Sequence, residues 1–300
     1  GTGRLHRAGA RGVLWRGEPV LMRVAALSLC AAVWVATAPT WAASPARVVS
    51  INVCTDQLAM LVAGSGQLVS VSQLASGPRI SAMIEQAARY PANSSRAEEV
   101  YLMRPDLVLA GSFTARATVD MLRRLDIPVA VFDPAYSLAD VRDRLVQMGD
   151  VLGREVRAAG LVAEFDATLE SLRDDAAATP PRVALYYANG YTSGENTLAG
   201  QILYYAGLAN VATEQGFAAG GFMPLEVLAM ANPETVITGS PYRGPARAEE
   251  IKSHPVIGAL QRGGPRARLA DHDWTCGTPF VLRAIADMTD LRRALQGEAQ

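Results

Sequence analysis

Two α/β lobes, each Rossmann-like with a mostly parallel sheet, joined by one long α-helix, are the fold class this sequence predicts. Three observations predict it. First, a short pattern occurs twice, 128 residues apart: Glu98 to Leu109 and Glu226 to Ile237 each place a glutamate seven residues before a proline that an acid follows, Pro105-Asp106 and Pro233-Glu234. In both copies an apolar-periodic stretch ends near the proline, which disfavours helix at the residue before it, and a β-branched run begins just beyond. Second, strand-like and helix-like segments alternate on either side of the chain's middle, the signature of parallel sheets covered on both faces. Third, the middle itself, from Leu138 to about Ala178, lacks proline and is rich in Ala, Leu, Arg, Asp and Glu. A repeat at this spacing means two similar lobes rather than a solenoid, whose periods run about 20 to 50 residues. Two lobes imply a cleft, where ligand sites concentrate.

Residues 1–42 read as a targeting segment. Arg16 and Arg23 precede the uncharged apolar run from Val24 to Ala36, and Thr40 and Ala42 are small residues ahead of a cleavage point after Ala42. The run is short of the roughly 20 residues that span a bilayer. Met22 is an alternative start, which makes residues 1–21 an upstream extension. The expected mature protein is an N-terminal lobe over 43–137, a helical segment over 138–178 and a C-terminal lobe over 179–300.

Within the first lobe, strands are expected at Arg47 to Val53, Leu68 to Ser72, Leu107 to Ala110 and Val129 to Phe132, with helices from Gln57 to Ala63, before Pro105, and from Ala117 to Leu125. The middle divides near Gly153 into two helices. In the second, Leu161, Phe165, Leu169 and Leu172 share one face, and a helix from Arg154 to Ala177 would run about 36 Å, enough to bridge two lobes. The second lobe restarts with the strand Arg182 to Tyr187, a glycine-rich loop from Asn189 to Gly194 and a helix from Leu198 to Ala206. Then come the second copy of the repeat with its strand Val236 to Thr238, a polar segment, a short helix near Val256 to Leu260, the strand-like Ala267 to Ala270, and a closing helix from about Pro279 to Leu295.

Composition excludes several functions. With 28 basic and 29 acidic residues, a single lysine (Lys252) and no basic run, no nucleic acid partner is expected. Without residues 1–42, 23 basic residues face 28 acidic ones. There is no CxxC, HExxH or GxSxG, and Gly64-Ser-Gly66 lacks the third glycine of a dinucleotide loop, so no cofactor is expected. His254 and His272 alone remain beyond the leader, too few for a three-histidine metal site. An exported enzyme using Cys54 or Cys276 with His272 is the remote alternative.

The mature start Arg47-Val-Val-Ser-Ile-Asn, Glu98 with Arg104-Pro105-Asp106-Leu107-Val108, the helix after Gly153, and Glu226 with Pro233-Glu234 together resemble the periplasmic binding proteins that feed cobalamin and ferric-siderophore ABC importers. The resemblance covers residues 46 to 296. It implies a periplasmic, monomeric binding protein that is not an enzyme, with a metal chelate as ligand and an ABC importer permease dimer as partner. It also implies that Glu98 and Glu226 dock onto permease arginines, a pseudo-symmetric arrangement of two carboxylates on a rigid body. Cys54 stands where cobalamin binders of the family commonly carry an aromatic residue. A ferric siderophore is therefore the first expectation, and cobalamin, another corrinoid or haem the alternative.

In open α/β sheets ligands bind beyond the carboxyl ends of the strands. The expected contacts there are Cys54, Thr55, Gln73, Ser112 and Phe113 from the first lobe. The second lobe offers Tyr187, Asn189, Tyr191, Tyr242, Arg243, Trp274 and Cys276, its aromatics suiting a large, partly apolar ligand. Cys54 and Cys276 are an even pair in a compartment that permits disulfides. A bond between them closes more than 200 residues and stabilises by roughly 4 to 5 kcal/mol in the chain-entropy treatment. Two free thiols on a soft metal, or two cysteines that merely pack, are the other readings.

Overall fold

The computed structural model describes residues 44–173, 179–239, 246–262, 265 and 267–297, and the expected leader lies outside them. The N-terminal lobe contains β1 (Val48–Ser50), α1 (Val53–Val62), β2 (Leu68–Ser72), α2 (Ile84–Ala87), β3 (Ala92–Asn93), α3 (Ala97–Leu102), β4 (Leu107–Gly111), α4 (Arg116–Arg124) and β5 (Val129–Phe132). Its five strands are parallel in the order β3-β2-β1-β4-β5. Apolar clusters cover both faces. Leu58, Leu68 and Leu109 lie in one cluster, and Val49, Val108 and Leu122 in the other. A strand buried on both faces needs an unbroken apolar run, which is why β4 reads Leu-Val-Leu-Ala.

Two helices follow, α5 (Leu138–Leu152) and α6 (Glu155–Ser171). Ser137 and Asp140 form a capping box at the start of α5, and Gly153, at φ +61°, ends it. Each helix belongs to both lobes. Leu138 and Val141 of α5 and Phe165 and Leu169 of α6 pack in the C-terminal core. Leu145, Met148 and Leu152 of α5 and Ala158 and Leu161 of α6 pack in the N-terminal core. The joining helix α6 has 17 residues, about 26 Å, and stops short of the expected Ala177. It bridges because α5 lies alongside it: a Cβ on Gly149 would come within 2.5 Å of the Ala158 Cβ, so glycine allows the close approach.

The C-terminal lobe contains β6 (Arg182–Leu185), β7 (Tyr191–Thr192), α7 (Leu198–Tyr205), β8 (Ala209–Asn210), α8 (Val211–Glu214), β9 (Gly221–Phe222), α9 (Leu225–Ala231), β10 (Thr235–Gly239), α10 (Pro255–Leu260), β11 (Arg268–Leu269), α11 (Asp271–Trp274) and α12 (Val281–Leu295). Four strands are parallel in the order β11-β10-β6-β8, and β7 and β9 form a separate antiparallel ribbon.

The repeat has a structural reason. In each copy a short helix, α3 or α9, ends in a left-handed residue just before the proline, Arg104 (φ +49°) or Asn232 (φ +45°). The acid after the proline then ties its own strand to the next. Asp106 accepts from the Ala46 and Arg47 N–H groups at 2.7 and 3.0 Å, and its N–H donates to the Arg47 carbonyl. Glu234 accepts from the Arg182 N–H at 3.0 Å and donates its own N–H to the Arg182 carbonyl.

Two expectations are corrected by local caps and short helices. The opening strand ends before Val53 because the Asn52 side chain accepts from the Cys54 and Thr55 N–H groups and starts α1 there, so Cys54 and Thr55 lie in a helix's first turn rather than a loop. Likewise the segment from His272 to Trp274 is the short helix α11, not a loop.

Candidate functional site

Parallel strands of the N-terminal lobe deliver their carboxyl ends to one place. Beyond β1 stand Asn52, Cys54 and Thr55; beyond β4, Ser112 and Phe113; beyond β5, Asp133 and Pro134. Arg144 of α5 joins them, and Thr275 and Cys276 of the C-terminal lobe complete a cavity of about 190 Å³. A larger cavity of about 340 Å³, lined by Leu172, Tyr204 and Arg292 among others, contains none of these strand ends.

The lobes are fastened beside the cavity. Cys54 and Cys276 form a disulfide with Cα atoms 4.8 Å apart across 222 residues of sequence. Arg79 of the N-terminal lobe pairs with Asp271 of α11 at 2.8 Å. Gly277 packs so closely on Ala135 that a Cβ there would collide, and its φ of +56° also favours glycine. With both sulfurs in one bond, neither supplies the thiolate that a Cys–His enzyme or a soft-metal site requires. Among the described residues no group of three His, Cys, Asp or Glu side chains is placed to hold a metal.

Five of the sequence-predicted contacts, Cys54, Thr55, Ser112, Phe113 and Cys276, come together in this lining. Phe113 is 82% exposed. Gln73 is exposed just after β2, and Asn189 is exposed in a turn at φ +55°. Tyr191 packs edge-on against Phe222, centroids 5.5 Å apart, on the ribbon beyond β6. Tyr187 stacks on Trp274 at 6.3 Å. Tyr242 and Arg243 lie outside the described residues. Glu98 and Glu226 are exposed in the first turns of α3 and α9. Each of these helices runs back to feed the next parallel strand, so its N-terminus sits at the carboxyl edge of the sheet, at the rim of its lobe.

Among the described residues three buried donors around this region have no hydrogen-bond partner, Arg144 Nε, the Tyr187 hydroxyl and Trp274 Nε1, and Asp273 Oδ1 is a buried acceptor without one. Burial pushes the Tyr187 hydroxyl well above the usual tyrosine range, helped by the negative charge of Asp271, so it stays protonated and a donor. Trp274 directly precedes Thr275 and Cys276 of the lining. Orphaned donors are rare in folded proteins, and three of them call for an acceptor-rich occupant. Arg144, Asn52 and Phe222 were not found by sequence reasoning. Only Asn52 carried a signal, as a capping residue type just before a helix.

Residues 48–261 match the family described as Periplasmic binding protein. A curated relative, a "Cobalamin-binding protein" of Halobacterium salinarum, is 30% identical over 208 residues, covering 68% of this chain and 56% of the relative. The chain thus spans little more than half the length of that relative. An "Uncharacterized ABC transporter substrate-binding lipoprotein YvrC" of Bacillus subtilis is 22% identical over 246 residues, covering 74% of this chain and 76% of that one. Among solved structures, the periplasmic haem-binding protein HutB of Vibrio cholerae superposes with a TM-score of 0.68 at 18% identity, over 82% of this chain and 98% of that one.

Proposed function

Because the chain belongs to the periplasmic binding protein family, we propose that it is exported, captures a metal chelate between its lobes and delivers it as a monomer to the permease pair of an ABC importer. The observation that carries this reading is the cavity at the carboxyl ends of β1, β4 and β5, closed from the other lobe by Thr275 and Cys276. At about 190 Å³ it is smaller than the 300 to 1,000 Å³ of whole-ligand pockets. It holds one arm of a chelate, while the exposed faces of Phe113, Tyr191 and Phe222 take the bulk.

A ferric siderophore is the first reading of that chelate. Cobalamin or haem is the second, favoured by the ligands named for the relative and the structural neighbour. Trp274 is the one tryptophan beyond Trp41 and lies against Tyr187, so its fluorescence reports on the cleft. Titration with ferric chelates, haem and cyanocobalamin should give saturable quenching with one class. Quenching by none of them would overturn the proposal.

Glu98 and Glu226 are proposed as the docking carboxylates. Glu98 stands beside the exposed Tyr101, Leu102, Met121 and Leu125, and Glu226 shares its helix with the exposed Met230. An acid bordered by apolar surface is the make-up of an interface. Glu98→Arg or Glu226→Arg should abolish uptake while leaving chelate affinity unchanged. Loss of ligand binding in either variant would remove the residue from this role.

A further inference from the structure

Arg144 lies in the interior of α5 and points a guanidinium at the cavity between the lobes. Its Nε is buried, and it makes no hydrogen bond or ion pair among the described residues. The nearby carboxylates are committed elsewhere or out of reach. Asp140 accepts from the Tyr136 and Ser137 N–H groups at the start of α5, and Asp166 is paired with Arg142. Asp133 lines the same cavity without pairing with it. A guanidinium is always charged, and its planar fork matches a carboxylate, so leaving one unanswered in a partly desolvated pocket is costly unless an oxyanion arrives. Two further buried donors without a hydrogen-bond partner among the described residues, the Tyr187 hydroxyl and Trp274 Nε1, lie outside the cavity's lining.

We propose that Arg144 is a specificity-determining residue that receives a carboxylate arm of the chelate in this pocket, so that the protein selects carboxylate-bearing chelates over neutral ones. The inference rests on the chelate-binding reading given above. The small cavity suits an arm, and among the described residues of its lining Arg144 is the one cation beside a single acid, the exposed Asp133. The lining also explains the direction of selection. Its hydroxyl at Thr55 is already bonded to the Ser50 hydroxyl and the Asn52 carbonyl, and its other donors at Asn52, Ser112 and Thr275 are neutral, so the guanidinium is the charged donor of the described lining.

The test uses the exported, oxidised chain and Trp274 fluorescence. Haem and ferric citrate carry carboxylates; haem dimethyl ester, ferrioxamine B and cyanocobalamin do not. The wild-type chain should bind haem or ferric citrate most tightly. Arg144→Gln should weaken that binding about 10- to 100-fold, with Arg144→Lys in between. Haem dimethyl ester should bind wild type and Arg144→Gln alike, an arm of the experiment that alters the ligand and so does not depend on how well the variant folds. Equal affinity of wild type and Arg144→Gln for a carboxylate chelate, or a preference of wild type for a carboxylate-free one, overturns the inference alone. A wild-type chain that binds none of the five overturns the functional reading, and the inference falls with it.

Discussion

Asp106 and Glu234 occupy equivalent places in two lobes whose surroundings differ. Each collects the N–H of an arginine at the entry to the neighbouring strand and returns its own N–H to that arginine's carbonyl. The arginine side chains then part company. The Arg47 guanidinium turns onto the Met103 and Arg104 carbonyls, at 2.8 and 3.2 Å, and caps the end of α3. The Arg182 guanidinium turns to Glu214 of α8 at 2.5 Å. The interiors differ too. Beneath the N-terminal sheet Asp56 accepts from the Ser72 N–H at 3.1 Å and the Ser72 hydroxyl at 2.5 Å, and Asn93 donates to the Ser50 and Val71 carbonyls and the Ser70 hydroxyl. The C-terminal lobe packs a large apolar cluster on the equivalent helices. A repeated unit therefore needs its acid and its left-handed turn, while the side chains around it serve local packing.

The largest expected effect comes from removing the bond that couples the lobes. Cys54→Ser with Cys276→Ser should cost about 5 kcal/mol in the chain-entropy treatment for a 222-residue separation and let the lobes melt separately in calorimetry. A single unshifted transition would show that α5 and α6 couple them alone. Next, Asp56→Ala should cost about 2 to 3 kcal/mol, because it orphans two buried donors of Ser72. Burial pushes the Asp56 carboxyl up to about 6, against hydrogen bonds from Ser50 and Ser72 that lower it. A carboxyl with a raised folded pKa holds a proton in the fold that it releases on unfolding, so its penalty is absent below about pH 4 and complete above about pH 6. Asp56→Asn should therefore gain on wild type as pH rises through that window, and parallel urea midpoints from pH 4 to 7 would count against it.

A smaller effect tests the repeat directly. Asp106→Ala should cost about 1.5 kcal/mol and Glu234→Ala about 1 kcal/mol, since the first frees two backbone N–H groups just before β1 and the second frees one at the start of β6, both near solvent. Equal losses would show that the second N–H contributes nothing. The smallest change concerns the left-handed turn. Arg104→Gly should gain about 0.5 kcal/mol, because arginine is strained at φ +49°, while Asn232→Gly should be nearly neutral, since asparagine tolerates that region.

Long-range architecture was readable in the sequence where physics repeats itself. Strands β4, β6 and β10 are largely buried and so announce themselves as apolar runs. The two-residue strands β3, β7, β8 and β9 carry no periodicity at all. The start of α1 was misplaced because a single asparagine side chain, not a change of pattern, ends the strand. Strand-end topology brought five site residues into view, yet Arg144 looks in sequence like any surface arginine of a helix. Its meaning depends on which carboxylates fail to reach it. For Cys54 and Cys276 an even count raised the disulfide, but only the fold places their Cα atoms 4.8 Å apart.

The disulfide also has a mechanical consequence. The helices α5 and α6 fasten the lobes along one side, and the Cys54–Cys276 bond pins them at a second point. Two bodies held at two separate points keep a single rotation, about the line that joins those points. The lobes can rock about that axis, but any other rigid-body opening would have to break one of the two attachments. The spacing of the cavity walls can then change only away from the axis, while beside the bond it is set when the bond forms.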